Sequence, residues 1–501
     1  MHPSHCYSTK FRFQIQSISI VWHPSIRPHH LFLSPAEIQQ FNESFLPQAS
    51  YFKQKLDHFD MKDDRVFWQR FYLNDQSWIE SNRTGPVFLL IGGEAPITPY
   101  DVYLGHVAEL AKRFNALLIV IEHRYYGESI PNLPDMSVDN MKYLTWMQAL
   151  EDLGRFLDHL RPRLQIGPDN QVITFGGSYA GALSAWFRMK FPSQVFGAVA
   201  SSSPVRARKD FSAYMREVGR AFADEDIGGS QHCQERIRQA FREIERIADN
   251  DNNGISTISN TFRSCSPLNQ YRDYSLMLQS LASFFQEAVQ YNNQAQVNVA
   301  NICNLFNGHS SSALQHLTDV IHAVLNAQER QCYDYSWDNY IKSLSNTTFD
   351  KHSSDRQWTF QFCTQFGYYQ QCDPDQGCIF SSKIDKKFYS RLCFELFGIT
   401  EDKITDLIRS TNARTGGYLT NAYRLLYVNG GLDPWRVLSV VKDQPAYDQE
   451  AVLISGASHC EDMRSSRPND SQAMILGRRH IADILQRWLQ EAKQIPIEPV
   501  Q

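Results

Sequence analysis

The segment Gln171-Val-Ile-Thr-Phe-Gly-Gly-Ser-Tyr-Ala-Gly181 reads as a strand that turns sharply into a helix. Gln171–Phe175 is rich in β-branched and aromatic residues, the composition of a short buried strand. Ala180–Phe191 carries the helix, and Pro192 stops it. Small residues flank Ser178 on both sides: Gly176, Gly177, Ala180 and Gly181. A reversal this tight forces the apex residue into a strained backbone and lifts its side chain into the open, the arrangement called a nucleophile elbow. A Gly-rich turn with an incidental serine has the same short signature, so Ser178 needs partners elsewhere in the chain.

Outward from this segment, Pro86–Ile91 and Ala116–Ile121 are continuous apolar runs separated by a helical stretch from Val102 to Phe114. Strands that are apolar throughout and alternate with helices belong to a parallel sheet covered on both faces. Tyr51–Phe59 and Val66–Tyr72 alternate instead, which predicts a pair of antiparallel edge strands. A helix is predicted from about Lys142 to Leu160, and a strand over Val195–Ala200 that ends in Ser201-Ser-Ser-Pro204. Strands return at Tyr423–Val428 and Ala451–Ile454, and a helix near Met474 to Lys493 carries an apolar stripe at Ile481, Ile484, Leu485 and Trp488. Between these α/β stretches, residues 205–415 hold most of the cysteines, many Gln and Asn, and helical periodicity, as in Phe211–Phe222 and His232–Ala248. The expected organisation is a polar leader over residues 1–50 and an α/β domain in two parts, 51–204 and 416–495. A helical insertion over 205–415 separates the two parts.

With 501 residues, 42% hydrophobic and 13% aromatic, the chain can bury a large core. Its net charge of −5 and the lack of a basic cluster argue against nucleic acid as a partner. No run of about 18 apolar residues predicts a transmembrane segment. Eight of the ten cysteines lie between Cys233 and Cys393, without the paired spacing of a metal site. Disulfides are the better reading, with neither metal nor cofactor, and they imply an oxidising compartment. Sequons at Asn42, Asn82, Asn346 and Asn469 agree. Met1–Trp22 lacks the uninterrupted apolar core and small-residue cleavage site of a signal peptide, so the start is read as mis-assigned or truncated.

A serine hydroxyl is a weak nucleophile until a base takes its proton, and that base is held in one tautomer by a carboxylate. Asp433 follows the strand at 423–428 in the Gly-rich loop Asn429-Gly-Gly-Leu-Asp-Pro-Trp435. His459 follows the strand at 451–454 in Ser455-Gly-Ala-Ser-His-Cys-Glu-Asp462. The chain order Ser178, Asp433, His459 is that of α/β-hydrolases. Alone, Asp433 reads as an Asp-Pro turn former and His459 as a surface histidine; order and strand context join them. Asp443 and Asp448 sit in a polar connector, and Asp462 follows the histidine too closely to be its usual partner. Two backbone N–H groups would hold the developing oxyanion, one from Tyr179 and one from the loop Gly92-Gly93-Glu94, at Gly93. Glu94 reads first as a structural carboxylate and second as a group for a substrate amine. Glu122, His123 and Arg124 read as a structural network, since His123 precedes Ser178 in the chain. Trp435 is either a pocket wall or a core aromatic, and Cys460 a disulfide or buried thiol.

Five segments together carry a resemblance: Leu56-Asp-His-Phe59, Glu122-His-Arg-Tyr-Tyr-Gly-Glu-Ser129, Phe175–Gly181, Asn429–Trp435 and Gly456–Asp462. Through them, about Tyr51 to Gln494 resembles the serine carboxypeptidase family that includes lysosomal Pro-X carboxypeptidase, dipeptidyl peptidase 2 and thymus-specific serine protease. Within it, Val199–Arg206 and Cys363–Tyr369 look most like thymus-specific serine protease. The resemblance implies an α/β-hydrolase with a mainly parallel sheet and a large helical, disulfide-containing cap. It implies a glycosylated lysosomal, endosomal or secreted peptidase acting on peptides, with Ser178 as nucleophile, Asp433 as acid and His459 as base. A homodimer is carried as an expectation. It also implies disulfides Cys233–Cys303 and Cys265–Cys363, with Cys393 bonded to Cys372 or Cys378. Relatives that cut after proline tend to have Met at the position of Ala182 and Trp at that of Met463, while Trp435 is kept. Ala95 stands where relatives have Gly. The substrate pocket, drawn from Glu94, Trp435, Ala182 and Met463, is therefore reshaped, and strict proline preference is not implied.

The reading is a serine exopeptidase, with a carboxypeptidase and a dipeptidyl peptidase as its two forms. A lipase or esterase with the same residues, and a catalytically silent binding protein on the same fold, are the alternatives.

Overall fold

The computed structural model describes residues 38–39, 41, 43–250, 253–294, 297–308 and 312–494. Most of the expected leader and the sequon at Asn42 lie outside them. The strands of the main sheet are β1 Ser50–Lys55, β2 Val66–Asn74, β3 Val87–Ile91, β4 Leu117–Ile121, β5 Val172–Gly177, β6 Gly197–Ser201, β7 Leu425–Gly430 and β8 Gln449–Ile454. They form one sheet in the order β1-β2-β4-β3-β5-β6-β7-β8. β1 and β2 pair antiparallel, as do β2 and β4; every other pairing is parallel. β3, β4, β5 and β6 are buried at every residue, which is why their sequences are apolar runs instead of alternations. The protein is an α/β-hydrolase by this order of strands, and β5 lies in the middle of it.

Helices cover both faces. α1 His106–Arg113 and, at the end of the chain, Gln472–Gln494 pack on one face. There Val107, Leu110, Ile481, Leu485 and Trp488 join Phe88, Ile173, Val199 and Val428 in one core cluster. α2 Trp146–Leu164 and α3 Tyr179–Lys190 cover the other face. Gly197 makes the first packing possible, because a Cβ there would meet the Trp488 ring at 2.8 Å. Two boundaries differ from the sequence reading. The helix expected over 102–114 breaks into a 3-10 turn, Pro99–Val102, and α1, because Gly105 takes φ 89° between them. α2 runs past Leu160 through Pro162, which sits in the last turn and deprives only the Asp158 carbonyl of its partner.

The chain divides into two compact units. The sheet unit also takes in Thr347–Gly367 and residues 404–494, whereas the other unit comprises Arg208–Asn346 and Tyr368–Lys403, a narrower span than the insertion expected over 205–415. The reason is long-range bonding of 347–367. Gln365 Nε2 donates to the Leu144 carbonyl, Trp146 N–H donates to Gln365 Oε1, and Arg356 Nε and Gln357 Nε2 donate to the carbonyls of Met136 and Tyr125.

The second unit is helical, with Ser212–Ala221, Gln231–Asn250, Tyr271–Gln290, Ala313–Ala327 and Lys386–Phe397 among its helices. Phe222, Phe241, Phe306 and Phe380 pack edge-on or tilted around Phe285. Cys233 bonds Cys303. Cys265 bonds Cys332 and not Cys363, because the backbone pairs Cys265 N–H with the Tyr333 carbonyl and Tyr333 N–H with the Arg263 carbonyl. Cys372 bonds Cys378, so neither is the partner of Cys393; the turn Pro374–Gln376 folds the chain back so that Cys378 N–H reaches the Asp373 carbonyl. Cys363 and Cys393 are disulfide-bonded as well. Replacing Trp488 with Ala should destabilise the chain by about 3–5 kcal/mol, the usual cost of emptying a fully buried aromatic site. Equilibrium denaturation with a sheet-unit probe checks it.

Candidate active site

At the end of β5, Ser178 takes φ 57° and ψ −129°, a conformation that L side chains rarely adopt. Three bonds fix it: its N–H donates to the Ser201 carbonyl at 2.9 Å, and its own carbonyl accepts from Gly181 and Ala182 N–H at 3.0 and 3.2 Å. The reversal needs Gly176, because a Cβ there would lie 2.1 Å from the Ala180 carbonyl oxygen. Tyr179 is the first residue of α3, where the helix itself offers its N–H no acceptor. Among the described residues no backbone carbonyl accepts that N–H. Gly93, after β3, lies close by: a Cβ added to it would sit 3.4 Å from the Ala180 Cβ. Glu94 is buried beside it.

Asp433 and His459 follow β7 and β8, and their loops are tied together. Leu432 N–H donates to the Ala457 carbonyl, and a Cβ on Gly430 would strike the Ala457 and Ser458 carbonyl oxygens at 2.5 Å. Asp433 is fully buried. One carboxylate oxygen accepts the Trp435 N–H at 2.9 Å, and the other lies 2.9 Å from His459 Nδ1. That bond assigns the ring proton to Nδ1. On the Ser178 side, Cys460 N–H donates to Ser202 Oγ at 2.9 Å, and the Cys460 sulfur lies 4.0 Å from the Ser201 carbonyl oxygen. Burial pushes that thiol well up, so Cys460 is a packed thiol; no disulfide forms there. Sequence reasoning passed over Ser201 and Ser202 and weighed Asp462 only as an acid for His459. Ser201 Oγ donates to Asp462 at 2.6 Å, and burial pushes the Asp462 carboxyl up to about 6.

The segment after β4 is a bonded network. Glu122 accepts from Arg70 Nη2, Ile97 N–H, Glu128 N–H, and both N–H and Oγ of Ser129. Arg124 grips Asp152 through two nitrogens at 2.6 Å. His123 has both nitrogens engaged: Nδ1 faces the Arg124 carbonyl at 2.7 Å and Nε2 the Tyr179 hydroxyl at 3.0 Å. Burial pushes its pKa down to about 4, so it stays neutral. The Tyr179 ring is boxed by His123, Trp358 and Phe366, the last two from the segment read as part of the insertion.

The remaining pocket candidates occupy three different elements. Trp435 tilts over His459 with ring centroids 6.4 Å apart. Ala182 is buried in the first turn of α3. Met463 joins the core cluster with Val107 and Met474, so it packs behind the His459 loop. Asn82, Asn346 and Asn469 are exposed. No group of metal-ligating side chains occurs among the described residues, and no helix among them is long and apolar enough to cross a membrane.

A profile of the family described as serine carboxypeptidase S28 matches residues 54–481. The chain belongs to this family. Thymus-specific serine protease of Mus musculus is 37% identical over 460 residues, covering 90% of this chain and 89% of that protein. The Homo sapiens protein of the same name is 35% identical over 483 residues, covering 92% and 93%. Lysosomal Pro-X carboxypeptidase of Mus musculus is 28% identical over 452 residues, covering 88% of each. Epoxide hydrolase VrEH1 of Vigna radiata aligns structurally at 11% identity and TM-score 0.34, over 88% of this chain and 98% of that one. As a member of the S28 family the chain is a serine-type peptidase.

The buried His123 gives a pH signature. Its folded pKa lies below the unfolded value of about 6.5, so the unfolded chain binds the extra proton between about 4 and 6.5. This contribution is whole above about 6.5 and is lost as pH falls toward 4. A His123→Gln variant should therefore lose less stability than the parent over that window, as thermal midpoints at pH 4 to 7 would record.

Proposed function

We propose that the chain is a serine exopeptidase in which Ser178, His459 and Asp433 act as nucleophile, base and acid. The observation that carries this reading is the 2.9 Å contact between Asp433 and His459 Nδ1, in loops tied to the strained Ser178 elbow. With its proton on Nδ1, His459 presents Nε2 as the base. Ser178 Oγ attacks the scissile carbonyl as Nε2 takes its proton. Asp433 stabilises the imidazolium that forms. The N–H groups of Tyr179 and Gly93 hold the oxyanion. The intermediate collapses as His459 returns the proton to the leaving amine, and water then releases the acyl group by the same steps in reverse roles.

Trp435, tilted over His459, and Ala182 form the acyl side of the pocket, and a proline ring against the Trp435 face accounts for a proline preference. Met463 shapes this pocket from behind. Glu94 decides between the two exopeptidase modes: a buried carboxylate beside Gly93 would pair a substrate α-amine and favour release of N-terminal dipeptides. Disulfides, exposed sequons at Asn82, Asn346 and Asn469, and relatives named as lysosomal support a glycosylated lysosomal or secreted protein.

Replacing Ser178 with Ala should abolish fluorophosphonate labelling; labelling retained at the same site would sink the assignment. Asp433→Asn should lower kcat by a factor on the order of 10⁴ while the protein stays folded. On peptides blocked at one end, Glu94→Gln should slow only turnover that needs a free N-terminus. Uniform loss or no loss would remove Glu94 from amine binding.

A further inference from the structure

Asp462 has no part in the reaction as proposed above, yet it is buried at the junction of the two loops that carry it. Its carboxylate accepts from Ser201 Oγ at 2.6 Å, and the carbonyl of the same Ser201 accepts the Ser178 N–H at 2.9 Å. One residue of β6 therefore holds the nucleophile by its backbone and the His459 loop by its side chain. The next residue repeats the tie, since Ser202 Oγ accepts the Cys460 N–H at 2.9 Å. Both residues of that second bond are strained: Ser202 has φ 49° and Cys460 φ 54°. With Ser178, three non-glycine residues in the left-handed half of backbone space meet at this point. Such conformations persist where surrounding bonds over-determine them.

The far side of the loop is held as firmly. Arg478 donates to the carbonyls of Glu461, Asp462 and Arg464 at 3.2, 3.1 and 2.7 Å, and its Nη1 to Asp470 at 2.5 Å. The guanidinium fixes the backbone after His459 without reaching toward Ser178. The two serine bonds register that loop against the end of β6 that holds the nucleophile.

We propose that Asp462 and Ser201 are positioning residues, a carboxylate–hydroxyl link that sets His459 against Ser178. It rests on the reading of Ser178 and His459 as nucleophile and base. Protonation does not break the link, because a neutral carboxyl still presents a carbonyl oxygen to the Ser201 hydroxyl. The charged and titratable groups facing Asp462 are Arg478 from the last helix, Glu461 from its own turn, and the Cys460 thiol. An Asn at 462 keeps the acceptor and is the rescuing substitution. An Ala at 462 or 201 removes the link.

The test is labelling of the full-length chain by a fluorophosphonate, read separately as the second-order rate constant and the final labelled fraction. A link that only supports folding lowers the labelled fraction and leaves the rate constant alone. A positioning link leaves the fraction near complete and slows the reaction. Ser201→Ala and Asp462→Ala should each label about 10- to 100-fold more slowly, the range for a displacement of about 1 Å in a reacting group. The double variant should be no slower than the slower single one. Asp462→Asn should recover to within about threefold of the parent. Parental rate constants in both Ala variants, or losses that multiply in the double variant, would overturn the proposal. Should Asp462→Ala fail to fold, Ser201→Ala, which removes one hydroxyl, decides alone. A parent chain unlabelled at Ser178 would overturn the nucleophile assignment and this link with it, a result distinct from failure confined to the variants.

Discussion

The backbone of Ser178 is the constraint on which the rest of the site depends. A non-glycine residue at φ 57° and ψ −129° costs roughly 1–3 kcal/mol and stays only if its neighbours leave it no alternative. Here they do not. A larger residue at 176 would collide with the Ala180 carbonyl, the end of β6 takes the Ser178 N–H, and α3 begins at once and takes its carbonyl. The strain turns the side chain away from the sheet and leaves the Tyr179 N–H at an open helix start. The proposed nucleophile and the proposed oxyanion donor are thus two consequences of one turn.

Much of this was legible because the local signals were strong. β3 and β4 are buried on both faces, so their apolar runs could only be central parallel strands. Roles could be proposed for Ser178, Asp433 and His459 because each follows a strand and the chain order restricts the roles. The segment 347–367 was misplaced for the opposite reason. Gln365, Gln357 and Arg356 bond carbonyls more than 200 residues away, and no periodicity records such bonds. The cysteine pairing failed similarly. Cys265 meets Cys332 because of a backbone bridge between two irregular segments, which no spacing encodes. Ser201 and Ser202 were visible only as the end of a strand; their bonds to Asp462 and Cys460 span about 260 residues.

Burial also sorts the histidines. His123 lies against the side chain of Tyr179, the residue after Ser178, but it hydrogen-bonds the Tyr179 hydroxyl and is held neutral down to a pH of about 4. It orients the side chain of the residue whose N–H is the proposed oxyanion donor, together with Trp358 and Phe366. The sequence order that set His123 aside agrees with this geometry, for an independent physical reason.

The same sheet unit contains a second imidazole–carboxylate contact, and comparing the two bears on the proposed role of His459. His58 Nε2 lies 2.7 Å from Asp152, shorter than the contact of His459 with Asp433. Asp152, however, already holds the Arg124 guanidinium on both oxygens. A carboxylate paired to a permanent cation has little field left for a second positive charge. Asp433 is bonded instead to a neutral backbone N–H and to His459, and among the described residues no guanidinium or ammonium pairs with it. Its charge is available to an imidazolium that exists only while the serine proton is in transit. Full burial strengthens that interaction by lowering the local dielectric. What else the carboxylate must serve separates the two contacts and supports the proposed role of His459, where distance alone would favour His58.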